Sequence, residues 1–441
     1  MNLLSSDEKL LKSVKACSTE DHSYWSFVGR SRRQYCHALI QYPAMMVPAM
    51  QGELIDAVME ADSQIKRVLD PFVGSGTTLG EAMCRGLDFS GIDINPLAIL
   101  ACEVKSGPLF VSKLKEKSQV LISRIDEDFC QDIAVSFGGI DKWFIKKIQI
   151  ELSVIYRAIK SEPSKWARKI FWLSMSNTVR TVCNSRSSTF KLHIKTDEQI
   201  ESIPSALVVF KKNLIKNIEN IKEQKELLKS LGMIKRSKSE SKVEIWHADT
   251  SGLSKKTSLC DLLVSSPPYG DNHTTVTYGQ YSYLPLMWID RSDIDQLKFN
   301  DLLENKSSID SKSLGGSIKD AKEKYEFIKN KSLSLVETVE LISLVNGKNI
   351  KKLISFIYDL DKALDNTLSN LRSNAYMIWT LGNRRISNIE IPLDKIMREL
   401  LEHKGCKYIY QLDREIHNKR MAKRNRVADT MDKELILIMR K

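Results

Sequence analysis

Apolar residues in this chain fall into short runs bounded by charged or turn-forming residues, and the runs recur along its whole length. Lys66 to Leu69, Asp88 to Ile92, Val243 to Trp246, Cys260 to Ser265, Ala375 to Leu381, Lys407 to Leu412 and Glu434 to Met439 each have strand length and strand composition. Helical patterns separate the first six. Such alternation predicts an α/β fold, a mostly parallel sheet with helices on both faces. Two longer stretches interrupt it. Residues 105–241 carry helical patterns over Asp141–Ile159, Trp166–Val182 and Ala206–Leu231, and a Lys-rich run from Lys235 to Lys242 leads back to the sheet. Residues 289–372 form a second helical stretch, with Gly315-Gly316 marking a turn inside it. The expected division is therefore 1–104 (N-terminal segment and first part of the core), 105–241 (helical insertion, a candidate element for reading a target), 242–288 (core), 289–372 (helical insertion) and 373–441 (last part of the core).

Two corners of this sheet carry the candidate chemistry. The first run ends in Asp70-Pro71-Phe72-Val73-Gly74-Ser75-Gly76-Thr77, and Thr78 to Arg85 reads as a helix. Strand, glycine turn and helix form a nucleotide-type cradle. Gly74 and Gly76 let the backbone bend and let a ligand approach. Asp70 can accept from a ligand ammonium, and Phe72 offers an apolar wall. Asp93, about twenty residues on and followed by Ile94-Asn95-Pro96, is where an acid that binds ribose hydroxyls is expected. A bare Gly-Ser-Gly is most often only a turn. A phosphate-binding loop lacks its lysine here, because Thr77 stands in that place, and the three-glycine spacing of dinucleotide sites is absent. With the acid at Asp93, the pattern favours S-adenosylmethionine (AdoMet).

The fourth run ends in Ser266-Pro267-Pro268-Tyr269-Gly270. Two prolines stiffen the backbone and remove two N–H donors. A row of acceptors is left: the Ser266 hydroxyl and nearby carbonyls. An exocyclic amine is a poor nucleophile because its lone pair is delocalised into the ring. Acceptors on its hydrogens help it rehybridise and attack a sulfonium methyl, a form of electrostatic preorganisation. Tyr269 can stack on a base that has left its helix. The plain alternative is a Pro-Pro turn with a surface tyrosine. Asp249, past the third strand, suits contact with a cofactor adenine and equally suits capping a short helix at Ser251. His273 and Tyr278, Tyr281 and Tyr283 follow the motif as candidates for a base pocket, His273 being equally an ordinary loop residue.

On these residues the chain resembles the amino-methyltransferase family of DNA-modifying enzymes. The loop from Asp70 to Thr77 is similar to that family's AdoMet motif, and Ser-Pro-Pro-Tyr is the form of its cytosine-N4 members; adenine-N6 members usually begin with Asp or Asn. Tyr42-Pro43-Ala44 through Pro48 resembles the motif beside the methionine moiety. The resemblance implies a Rossmann-like seven-stranded sheet ending in an antiparallel hairpin, AdoMet as cofactor, and cofactor contacts from Tyr42, Pro43, Asp70, Phe72, Gly74, Ser75, Gly76, Thr77, Asp93, Asn95 and Asp249. It implies catalysis by Ser266, Pro267, Pro268 and Tyr269, and a possible separately encoded restriction endonuclease as counterpart. The order of the motifs, cofactor before catalysis, is the reverse of that in many cytosine-N4 enzymes. Adenine-N6 methylation of DNA is the nearest rival, and methylation of an RNA amino group a more distant one. A cytosine-C5 enzyme needs a Pro-Cys nucleophile, and no such pair occurs.

Composition narrows the partner. The 441 residues carry a net charge of +12, which suits a polyanion. Expected phosphate contacts to double-stranded DNA come from three places: Arg30, Arg32 and Arg33 beside Trp25, Phe27 and Tyr35; the polar loop with Arg186 and Lys191; and the segment between the last two strands with His417, Lys419, Arg420, Lys423, Arg424 and Arg426. Solvated loops explain each of these too. The eight cysteines include no Cys-x-x-Cys pair, so no metal site is expected and reduced thiols in a cytoplasm are. Met1 to Leu10 lacks the apolar centre of a signal peptide, and no run long enough to span a membrane is present.

Overall fold

A computed structural model describes residues 4–20, 24–31, 33–252, 258–294, 299–347, 349–416 and 433–441. Each of the seven apolar runs forms a strand of one sheet: β1 (Arg67–Asp70), β2 (Asp88–Asp93), β3 (Val243–His247), β4 (Cys260–Ser265), β5 (Leu371–Leu381), β6 (Lys407–Glu415) and β7 (Lys433–Arg440). Their order across the sheet is β6-β7-β5-β4-β1-β2-β3. β3, β2, β1, β4 and β5 are mutually parallel, and β7 runs antiparallel between β5 and β6. This is the mostly parallel α/β sheet that the alternation predicted, in the Rossmann-like seven-stranded form with an antiparallel hairpin that the resemblance implied.

Side-chain alternation sends successive residues to opposite faces, and each face has its own core. Leu262 and Val264 of β4 join Val68, Phe89, Ile436 and Ile438 on one side, under the helices Pro48–Ala61, Thr77–Cys84 and Pro96–Lys105. Leu263 joins Leu69, Met377, Trp379 and Leu437 on the other, under Ile350–Ser369 and Leu393–His403. Burial on both faces is why the central strands read as unbroken apolar runs.

Helices differ from expectation in three places. The pattern over Asp141–Ile159 is two helices, Ile140–Trp143 and Lys146–Lys160. Phe144 and Ile145 between them are extended, and Phe144 spends its side chain wholly in the core. Among the described residues, only a single tight turn, Thr250–Gly252, separates β3 from β4. The Lys-rich run holds a small hairpin, Ile234–Lys235 with Lys238–Ser239. No described helix is long and apolar enough to cross a membrane.

The helical block between β2 and β3 reaches back to the start of the chain. Asn177, on the helix Lys165–Val182, donates from Nδ2 to the Leu39 carbonyl at 3.0 Å and accepts from the Gln41 N–H at 3.1 Å. These two bonds fix the approach to Tyr42. Under the sheet's other end, Asp261 accepts from the Lys66 and Arg67 N–H groups, each at 3.0 Å, tying the starts of β1 and β4 together.

Leu263 is fully buried at the centre of the second core. Leu263→Ala is expected to lower the unfolding free energy by about 2–5 kcal/mol, read from the urea midpoint.

Candidate active site

The sheet order reverses between β1 and β4, and ligands in such sheets lie beyond the carboxyl ends of the strands at that switch. There the two motif-bearing corners meet. The Ser265 hydroxyl, last in β4, donates to Asp70 Oδ1, last in β1, at 2.6 Å. Both loops then open onto one cleft of about 1900 Å3. Its walls include Tyr42, Pro43, Phe72, Gly74, Ser75, Thr77, Asp93, Asn95 and Asp249 on the glycine side. Ser266, Pro267, Pro268 and Tyr269 line it on the proline side.

Gly74 (φ +50°) and Gly76 (φ +77°) both hold the left-handed conformation that favours glycine. Gly76 has a second constraint: a Cβ there would stand 3.0 Å from Cys102 Sγ. Its carbonyl accepts from the buried Lys105 Nζ at 3.2 Å. Burial holds that ammonium below the usual lysine range. Asp93 braces the same loop: Oδ2 accepts from the Gly74 N–H and Oδ1 from the Asn95 N–H, both at 2.8 Å. Burial pushes its carboxyl up to about 6 against those bonds. Asn95 caps the helix Pro96–Lys105 through Leu97 N–H and donates from Nδ2 to Tyr42 Oη at 2.9 Å and Ser282 Oγ at 2.8 Å.

Asp70 lies beneath the cleft rather than in its wall. Its Oδ1 also accepts from the Phe72 N–H at 3.1 Å, while Oδ2 is buried with no hydrogen-bond partner. Burial pushes this carboxyl up to about 7. An orphaned buried carboxylate oxygen beside a glycine cradle suits a ligand that carries a positive charge. Asp249 caps the turn that follows it, accepting from the Ser251 N–H at 2.9 Å, and also lines the cleft. Thr250 Oγ1 donates to the Pro71 carbonyl at 2.6 Å, joining the end of β3 to the glycine loop.

Of the three later tyrosines only Tyr278 lines the cleft, with its ring stacked on Tyr42 at 5.8 Å between centroids. Tyr281 donates to the Gln41 carbonyl at 2.6 Å, with Arg180 4.4 Å above its ring. Tyr283 is buried in the first core. The reading of all three as pocket residues is thereby corrected: on the helix Tyr278–Met287, Tyr281 is three residues after Tyr278 and shares its face but turns its hydroxyl to the Gln41 backbone, whereas Tyr283, five residues after Tyr278, leaves on another face. His273 is in the wall, 3.3 Å from Ser311 Oγ.

Basic residues are distributed unevenly. Arg30, Arg33 and Lys191 line the cleft, whereas Arg186 is exposed outside it. Arg30 lies 3.3 Å from Glu53 and 5.1 Å above the Phe27 ring. Arg32, His417, Lys419, Arg420, Lys423, Arg424 and Arg426 lie outside the described residues. The strand ends that flank the last of these segments, Glu415 and Lys433, are on the cleft's edge of the sheet, since Leu435 pairs with Leu381 at the end of β5. Among the described residues no cluster of potential metal ligands occurs.

Sequence inspection missed several residues here. Arg384 Nη1 contacts Asp271 Oδ2 at 3.2 Å and Thr274 Oγ1 at 2.7 Å, clamping the loop after Tyr269. Glu434 enters the wall from β7. Neither has a neighbouring motif to mark it.

A Rossmann-like sheet with a glycine cradle and an acceptor-lined corner on one cleft defines a methyltransferase site. Comparison with known proteins gives the particular family. No family profile matches the chain. The type II methyltransferase M.MvaI of Kocuria varians is 30% identical over 458 aligned positions, covering 98% of this chain and 97% of that protein. The type II methyltransferase M.MjaII of Methanocaldococcus jannaschii is 32% identical over 88 positions, 20% of this chain and 16% of that protein. The chain belongs to the type II DNA methyltransferases.

The raised carboxyls make stability depend on pH. Asp70 and Asp93 ordinarily titrate at 3.8 and here near 7 and 6, so the folded protein holds their protons more tightly than the unfolded chain. Their stabilising contribution is full below about pH 4 and is lost as pH rises through about 6 to 7. The urea midpoint of the ligand-free protein is expected to fall across that window, and Asp70→Asn to flatten the fall.

Proposed function

We propose that the protein transfers the methyl group of AdoMet to the exocyclic N4 of a cytosine turned out of duplex DNA, by direct displacement without a covalent enzyme intermediate. One observation carries this reading: the glycine cradle after β1 and the Ser-Pro-Pro-Tyr corner after β4 share a single cleft, joined by the Ser265–Asp70 bond of 2.6 Å. AdoMet supplies an electrophilic sulfonium methyl. The residues fit it: left-handed glycines for close approach, the orphaned Asp70 Oδ2 for positive charge, Asp93 with lone pairs left for ribose hydroxyls, and Phe72, Tyr42 and Pro43 as apolar walls.

On the other side, Ser266 Oγ and the Pro267 carbonyl hold the amine's hydrogens, and Tyr269 stacks on the base. Serine at the first position supports cytosine over adenine. Arg30, Arg33 and Lys191 at the cleft wall take phosphates, giving affinity and register. A separate restriction endonuclease with the same target would be the enzyme's cellular counterpart.

Ser266→Ala and Tyr269→Ala are each expected to cut methyl incorporation by about 10²-fold or more while sparing AdoMet binding. Gly74→Val is expected to abolish that binding in calorimetry. Mass spectrometry of nucleosides from modified DNA should find N4-methylcytosine. N6-methyladenine would overturn the choice of base, and label in RNA alone the choice of polymer.

A further inference from the structure

We propose that Glu434 is a positioning residue that acts through the Tyr269 hydroxyl, aiming the Ser266 lone pairs at the target amine and taking up the proton that methylation releases. The proposal rests on the reading of Ser266 as the amine's acceptor.

Three cleft-lining side chains from two distant segments form a chain of hydrogen donation. Ser266 Oγ donates to Tyr269 Oη at 3.3 Å, and Tyr269 Oη donates to Glu434 Oε1 at 3.5 Å. Behind them, Glu434 Oε2 lies 3.3 Å from Nε of Arg414, which is 3% exposed and stands opposite Glu434 in the β6–β7 ladder. Hydroxyl groups both donate and accept, so neither serine nor tyrosine has a direction of its own. A carboxylate only accepts. Glu434 therefore draws the Tyr269 hydrogen, and the Tyr269 oxygen draws the Ser266 hydrogen. What Ser266 presents to the cleft is lone pairs. Without the carboxylate, the serine hydrogen could turn toward the amine's own hydrogens, where it would repel them. Arg414 places a buried positive charge beside the carboxylate that ends this chain of donors. The two donor–acceptor distances, 3.3 and 3.5 Å, exceed the range of about 2.5–3.0 Å usual for O–H···O bonds, and passage of the proton requires them to shorten.

The same chain closes the proton balance. As the N–CH3 bond forms and the S–CH3 bond breaks, the sulfonium becomes a neutral thioether and the amine nitrogen becomes cationic. It must lose one proton. That proton passes to Ser266 Oγ while the serine's own passes to Tyr269 Oη and the tyrosine's to Glu434 Oε1. Serine and tyrosine end neutral, Glu434 ends as a carboxylic acid, and exchange with water resets it.

Single-turnover transfer of labelled methyl to DNA tests this, with AdoMet and DNA affinities and the melting temperature measured beside it. Glu434→Gln should slow transfer by about 10²-fold with both affinities unchanged. Tyr269→Phe should give a loss of similar size. Adding Glu434→Gln in the Tyr269→Phe background should cost nothing more, because the chain is already cut. Losses that multiply, or transfer at the wild-type rate in Glu434→Gln, would overturn the proposal. Should Glu434→Gln fail to fold for want of Arg414's partner, Tyr269→Phe leaves that pair intact and decides alone: a wild-type rate overturns the chain. A wild-type protein that puts no methyl on DNA amines would instead defeat the underlying reading of the site.

Discussion

Everything at the cleft depends on β1 and β4 being parallel neighbours that end within one residue of each other. Val68 pairs with Leu262 and Leu69 with Leu263, a register that puts Asp70 opposite Val264 and brings Ser265, the next residue, within reach of its carboxylate. Their 2.6 Å hydrogen bond is where two loops separated by 195 positions become one site. A second tie supports it, Thr78 Oγ1 donating to the Val264 carbonyl at 3.2 Å. With the strand ends this close, the glycine bend and the proline bend leave the sheet at one edge and have to face each other. A one-residue slip would turn every side chain of β4 to the opposite face and exchange its two cores.

The arrangement has a cost in stability, because polar groups are taken from water before any ligand repays them. Asp70 is fully buried with one oxygen unpartnered, and Lys105 is buried with a backbone carbonyl as its hydrogen-bond partner. The helices on both faces offset this by burying long apolar surfaces, Trp379 and Phe356 on one side and Phe89 and Leu54 on the other. The result is a buried floor under the cleft. Charges on that floor act at short range in a medium that screens them weakly.

The fold was legible because its signals are local. Each strand spans four to eleven consecutive residues, and the buried stretch of each parallel strand is mostly apolar. Both corners were legible for the same reason: glycines and prolines set a bend within their own few residues. What was hidden lies between segments. Asn95 and Ser282 are 187 positions apart, Asp271 and Arg384 113, Tyr269 and Glu434 165. No spacing rule links them; only the sheet order does. Tyr283 was misplaced because a count of aromatic residues does not tell which face of a helix each one takes. The break at Phe144 was hidden because extended and helical backbones carry the same apolar side chain equally well.

The block between β2 and β3 is joined to the start of the chain by more than its two chain ends. Asn177 grips the backbone at Leu39 and Gln41, one residue short of Tyr42, which in turn carries Asn95 and Tyr278. Exchanging that block alone between relatives would unseat an aromatic wall of the cleft. A functional chimera has to move the block together with the stretch around residues 39–48 as a matched two-piece cassette.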